Sequence, residues 1–326
     1  MKAVLVREGG VLSFEDVPDP VAGPGEVTVE LRAAAVNRRD LLVRNPPGPA
    51  YQFDLPLIPG SDGAGVRRDT GEEVVIYPGI GWGPREDAAG PDWRILGGPE
   101  DGTYAELVKV PEENVFRKPA RFSWEEAAAF PLAALTAYRA LFARGRLTSD
   151  ECVLVLGAGS GVSAFAVQLA AQVGARVLVT SSSQEKIDRA IGLGAADGFL
   201  YTEGDWAEAV REATGGRGVD LVLDSVGSTW PDSVRALARG GRVVVFGGTG
   251  GTEALLNVRP FYLQWLSLLG TTMGSPADFA ALLRMLETAR WRPVIDSVRP
   301  LAETEAAHTR LISDADKFGK LVLTCA

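Results

Sequence analysis

Residues Val153-Leu154-Val155-Leu156-Gly157-Ala158-Gly159-Ser160-Gly161-Val162-Ser163 constrain this chain more than any other stretch. An apolar strand ends on closely spaced glycines, and a helix starts at once. That arrangement leaves backbone N–H groups at the helix start free to bind a pyrophosphate. Glycine is needed because a Cβ would block both the turn and the approach of the phosphate. Gly157, Gly159, Ser160, Gly161 and Val162 are therefore the expected dinucleotide cradle. The spacing is not strict G-x-G-x-x-G, since Val162 stands at the last glycine of that frame. The strand–turn–helix context, followed by a second strand, supports the assignment.

Strands and helices alternate around this loop. Strands are expected over 152–156, 176–180, 219–224, 241–246 and 266–270, and helices over 162–173, 184–193 and 232–238. Such alternation implies a doubly wound parallel sheet, a Rossmann fold. The first third reads differently, with short strands at 3–7, 26–34, 73–77 and 104–110 punctuated by Gly and Pro, as in a barrel or sandwich. Residues 78–102 form a long polar loop. Ser123 and Glu126 have capping-box spacing ahead of an Ala-rich helix that Pro131 interrupts, with helical character resuming over 132–142. The tail offers helices at 277–288 and 303–312 and strands at 293–298 and 321–324. The expected domains are 1–122, 123–274, and 275–326 as a return to the first.

At the end of the second strand, an enzyme specific for NAD would place an acid on the ribose 2′-hydroxyl. This chain has Thr180-Ser181-Ser182-Ser183 and then Gln184-Glu185-Lys186. Hydroxyls and a lysine suit a 2′-phosphate, which an acid would repel. NADP(H) is thus expected over NAD(H), held by Ser181, Ser182 and Lys186. Composition narrows the partners. With 33 Lys+Arg against 42 Asp+Glu and no basic block, nucleic acid is a poor partner. Cys152 and Cys325 are too few for a disulfide scaffold or a four-thiolate zinc site, and their apolar surroundings suggest buried thiols. No apolar run approaches a membrane span, and the N-terminal run is too short for a signal peptide, so the cytoplasm is expected.

Further segments complete a resemblance over essentially the whole chain. They are Pro59-Gly60-Ser61-Asp62-Gly63-Ala64-Gly65, Gly102-Thr103-Tyr104-Ala105-Glu106, Leu135-Thr136-Ala137-Tyr138-Arg139-Ala140-Leu141, residues 220–227 and Phe318-Gly319-Lys320-Leu321-Val322. In this order they resemble the medium-chain dehydrogenase/reductase superfamily, and within it the zinc-free quinone oxidoreductase branch. The resemblance implies a GroES-like β-barrel catalytic domain beside the Rossmann domain, and a homodimer. The exposed sheet edge expected at 266–270 also favours pairing. It implies that Thr136, Tyr201, Phe246, Gly247 and Lys320 bind the cofactor, Tyr201 with Lys186 at the 2′-phosphate. It also implies that Asn37 and Tyr51 face the substrate. Many relatives have glycine at the position of Ser163.

Zinc members carry ligands at the positions of Asn37, Ser61 and Leu132, none of which is a usual zinc ligand here. Their four-cysteine lobe corresponds to 78–97, where no Cys remains. The single histidine, His308, reads as a structural or surface residue far from these positions. No metal is expected. Without one, hydrogen-bond donors must stabilise the acceptor's developing charge. An amide N–H from Asn37 and the phenol of Tyr51 could do so, although Tyr51 could equally just shape an apolar wall. Phe53, Trp82 and Trp265 could line a pocket or simply pack. The expected reaction is NADPH-dependent reduction of a quinone or α,β-unsaturated carbonyl. The alternatives are an alcohol/aldehyde dehydrogenase and a non-catalytic NADPH-binding protein.

Overall fold

In the second half of the chain, two central strands buried at every position lie side by side because helices cover both faces. The computed structural model describes residues 1–313 and 316–325. Its two units are Ala134–Gly274, and Met1–Ala133 with Ser275–Ala326. In the first of these, the strands are β1 (Cys152–Val155), β2 (Arg176–Ser181), β3 (Asp197–Leu200), β4 (Val219–Asp224), β5 (Leu237–Val245) and β6 (Ser267–Gly270). They form one parallel sheet in the order 3-2-1-4-5-6. That is the dinucleotide-binding order, with its switch point between β1 and β4. Every residue of β1 and β4 is buried. The helices are α1 (Gly161–Gln172), α2 (Gln184–Gly192), α3 (Trp206–Ala213), α4 (Trp230–Ala236) and α5 (Val258–Gln264).

The other unit is built on a seven-stranded sheet centred on Glu26–Ala35, which pairs antiparallel with Asp62–Arg67, Leu107–Pro111 and Lys320–Thr324. This is the GroES-like domain. Glu26–Ala35 alternates half-buried and buried residues along most of its length, as a strand with one core face must. Val27, Val29 and Leu31 point into a core shared with Ile76, Tyr104 and Leu323. Among the described residues, no helix is long and apolar enough to cross a membrane.

Three expectations need correction. Residues 123–133 lie with the GroES-like unit, not at the start of the Rossmann unit. Ser123 caps the helix Trp124–Ala129 through the expected box, but Glu126 also pairs with Arg292 and the Leu132 N–H binds Asp62. These bonds tie the stretch to the GroES-like unit. The helix resuming at Pro131 is α-helical only to Tyr138, and Arg139–Arg144 winds as a π-helix. The helix expected over 232–238 ends at Ala236, because β5 begins at Leu237.

Candidate active site

The Rossmann unit supplies a phosphate cradle at the end of β1. Gly157 has φ +70°, a left-handed conformation that favours glycine, and no atom lies within 4 Å of where a Cβ would stand. The turn is pinned to the neighbouring strand: Gly157 N–H donates to Thr180 Oγ1 (3.2 Å), and Ala158 N–H to the Thr180 carbonyl (2.7 Å). Ser160 caps α1, its Oγ accepting from Ser163 N–H at 3.0 Å. Ser163, where many relatives have glycine, is buried and donates from Oγ to the Leu156 carbonyl at 3.1 Å. Its hydroxyl fastens helix to strand where a glycine would leave only close approach.

Past β4, the buried Asp224 carboxylate accepts from Val226 N–H, Gly227 N–H, Thr229 Oγ1 and Ser233 Oγ, all within 3.0 Å. The backbone past β5 attaches to it, with Phe246 N–H donating to the Asp224 carbonyl at 3.0 Å. The resulting cavity, about 250 Å³, is lined by Gly227, Trp230, Gly247, Gly248, Gly251 and Thr252. Asp224 and Trp230 were missed as site-forming residues. The signal was present, as an acid closing a strand three residues before a glycine.

The GroES-like unit holds a buried polar cluster. Asn37 precedes the helix Arg38–Arg44, and its N–H donates to Asp40 Oδ2 at 2.8 Å. Its Nδ2 donates to Asp62 Oδ2 (2.9 Å) and weakly to the Ala35 carbonyl (3.4 Å). Its Oδ1 accepts from Lys320 Nζ at 2.6 Å, and Lys320 also donates to Asp62 Oδ2 at 3.1 Å. Asp62 Oδ1 accepts from Leu132 N–H at 2.7 Å. Asp62 is fully buried and Lys320 is 4% exposed.

Behind this cluster Tyr104 donates to Asp40 Oδ2 at 2.7 Å and lies 3.4 Å from His308 Nε2. Gly60, at φ +96°, lets the chain pass this ring, since a Cβ there would fall 2.4 Å from it. Burial raises the Asp40 carboxyl to about 6 and lowers His308 to about 4, so the imidazole is neutral near pH 7. Burial also raises the thiols, Cys152 to about 11 and Cys325 to about 12, as expected of inert buried cysteines. The Arg39 guanidinium donates to the carbonyls of Ile95, Leu96, Gly97 and Gly98 and to Ser61 Oγ. It closes the end of the long loop where zinc members would have cysteines.

Two family models match, the alcohol dehydrogenase GroES-like domain over residues 23–120 and a zinc-binding dehydrogenase over 161–288. A zinc-type alcohol dehydrogenase-like protein of Schizosaccharomyces pombe is 34% identical, over 94% of this chain and 93% of its own. The chain belongs to the medium-chain dehydrogenase/reductase superfamily. It is a nicotinamide-dependent oxidoreductase. Quinone oxidoreductase of Mus musculus is 30% identical over 99% of this chain and 97% of its own. The crystal structure of an NAD-dependent alcohol dehydrogenase superposes with a TM-score of 0.93, at 39% identity over the full length of both chains.

The expected site residues of this medium-chain dehydrogenase/reductase fall into two groups. Ser181, Ser182, Lys186 and Tyr201 gather at one end of the Rossmann sheet, with Tyr201 N–H donating to the Ser181 carbonyl at 3.0 Å. Ser181 does not offer a free hydroxyl, because its buried Oγ donates to the Ala158 carbonyl and accepts from Ser183 N–H. Ser182 is exposed, Lys186 half-buried and Tyr201 49% exposed. Thr136 is buried on the helix Pro131–Tyr138. Phe246 and Gly247 follow β5.

Lys320, expected to bind cofactor, is engaged with Asn37 and Asp62 inside the GroES-like unit. Tyr51 sits in the short turn Pro49–Tyr51, and its phenol makes no hydrogen bond among the described residues. His308 is neither at the surface nor remote: the helix Thr304–Ser313 brings it beside Tyr104, one hydrogen bond from Asp40. Trp82 packs edge-on against Trp93, whereas Trp265 is 62% exposed under the Arg239 guanidinium.

Proposed function

We propose that this chain uses NADPH to reduce a quinone or an α,β-unsaturated carbonyl by direct hydride transfer without zinc. The observation that carries this reading is the donor set around Asp62. A catalytic zinc needs thiolate, imidazole or carboxylate ligands. Here Asn37 and Asp62 are bonded to an ammonium, Leu132 contributes a backbone N–H, and Ser61 Oγ donates to the Leu96 carbonyl at 2.7 Å. These residues do not fit the metal. A conjugated acceptor spreads incoming charge over several atoms, so hydrogen-bond donors suffice where a simple carbonyl would need stronger polarisation.

When bound, the reduced nicotinamide supplies the hydride. The amides at the start of α1 would hold its pyrophosphate, and Lys186 with Ser182 and Tyr201 would face the adenosine 2′-phosphate. Asn37 Nδ2, whose bond to Ala35 is long, and the Tyr51 phenol, which makes no hydrogen bond among the described residues, would donate to the acceptor oxygen. Tyr51 or solvent delivers the proton that completes the reduction. Similarity to quinone oxidoreductase of Mus musculus supports the acceptor class. Similarity to an NAD-dependent alcohol dehydrogenase supports the second reading, alcohol oxidation. Steady-state assays separate the two. NADPH oxidation by quinones and enals, with little NAD⁺ reduction by alcohols, is expected; the opposite pattern would establish the second reading.

A further inference from the structure

We propose that the Lys320 ammonium is a built-in cation. In this view it pins Asn37 and Asp62 in one geometry and polarises the Asn37 carboxamide, making Lys320 a positioning residue for reduction. The polarising role rests on the reaction proposed above, and the structural role stands without it. The ammonium joins residues 283 and 258 positions away along the chain. Its placement is specified by the backbone. Gly319 adopts φ +104°, where a Cβ would fall 2.5 Å from the Val294 carbonyl oxygen, and Lys320 N–H then donates to that oxygen at 2.9 Å. The turn aims the first side chain of Lys320–Thr324 inward among buried polar groups rather than at water.

A buried ammonium and a buried carboxylate are each costly unless paired, and removing one strands the other. Asp62 is therefore the reason for Lys320, and Asn37 is the group that feels the pair. A cation 2.6 Å from Oδ1 draws electron density toward the amide oxygen. The nitrogen becomes more positive and its N–H a stronger donor, the usual direction of cooperativity in hydrogen-bond chains. The charge that stabilises the acceptor oxygen then reaches it through Asn37, with no direct contact from Lys320.

Three full-length variants test this: Lys320→Met, Lys320→Ala, and Lys320→Met combined with Asp62→Asn. The first two should melt well below wild type. Lys320→Ala should recover in ethylammonium chloride but not in sodium chloride of equal ionic strength. The double variant, in which the Asp62 charge is no longer stranded and only the weaker, through-space support of Lys320 for Asp40 is lost, should melt above Lys320→Met, and this comparison decides the matter should Lys320→Ala not fold. With the fold restored, the double variant should still reduce an enal with kcat about 10-fold or more below wild type, while KM and NADPH affinity stay within about twofold. Wild-type melting of Lys320→Met, or a double variant no more stable than the single, would overturn the internal cation. Wild-type kcat in the double variant would overturn the polarising role. A wild-type enzyme inert toward every conjugated acceptor, with the melting pattern intact, would refute the proposed reaction and support the internal cation.

Discussion

Asn37 has two amide hydrogens. The stronger bond is committed to Asp62 at 2.9 Å and the weaker, at 3.4 Å, leaves the other available to an acceptor. Tyr51 differs in that its phenol makes no hydrogen bond among the described residues, although it lies in the field of the Arg39 guanidinium. Tyr51→Phe should therefore lower kcat on an enal without moving Tm, whereas Asn37→Ala should lower both, because it also removes a Lys320 partner. A single oxyanion donor is worth about 100- to 1,000-fold in kcat when the site is dry, and a quinone should show less. Steady-state kinetics beside NADPH titration check this; unchanged kcat in both variants would reduce them to pocket walls. Asp40 and His308 make a second case. Asp40 binds protons more tightly folded than unfolded, so its contribution to stability falls as pH rises from about 4 to 6. His308 binds them less tightly folded, so its contribution rises over about pH 4 to 6.5. Each shift is worth about 3 kcal/mol, and the two largely cancel in wild type. The Asp40→Asn variant should thus gain stability between pH 4 and 6.5, and His308→Gln should lose it between pH 4 and 6, read by urea melts across pH.

At the scale of elements, the end of β2 and the start of α2 decide which dinucleotide fits. Ser181 is spent on holding the loop, so discrimination falls on Lys186, Ser182 and Tyr201. Lys186→Ala should weaken NADPH by about 1.5–3 kcal/mol, the worth of a charged hydrogen bond, and leave NADH unchanged. Equal wild-type affinity for both cofactors in calorimetry would contradict it. The loop end at 95–98 depends on Arg39, whose Nη1 and Nη2 donate to four carbonyls and Ser61 Oγ. Arg39→Lys keeps the charge but not the planar fork. It should lower Tm and make cleavage in 84–93 by a nonspecific protease faster than in wild type. Several elements were not read from sequence. β3 is four residues long and only partly buried, too short to show alternation. α3 was missed although its signal was present, with Asp205 capping it and Trp206, Ala207 and Val210 on its buried face. α5 has no buried residue, so it carries no core-facing period.

For the whole molecule, β6 ends the Rossmann sheet with its outer edge unpaired among the described strands. Near it in sequence, Leu255 is 91%, Val258 74%, Tyr262 65% and Trp265 62% exposed. An unpaired edge beside exposed large apolar side chains favours pairing with a second copy. Sedimentation at micromolar concentration should show a dimer, and Val258→Asp with Tyr262→Asp should shift it to monomer. Wild type sedimenting only as monomer would refute this.

The sequence by itself determined the glycine turn, the alternation of strand and helix, the fold class and the superfamily, because these depend on local period and on backbone conformations that few residues adopt. Gly157 at φ +70° and the fully apolar β1 need no distant partner to be recognised. What Asn37, Lys320 and His308 do was decided only in three dimensions. Lys320 reads from sequence as a cofactor contact, and His308 as a structural or surface residue. Asp62 draws the lysine inward from 258 residues away, and the helix Thr304–Ser313 sets the imidazole beside Tyr104. A buried charge takes its meaning from whichever partner compensates it, and long-range folding, not sequence spacing, chooses that partner.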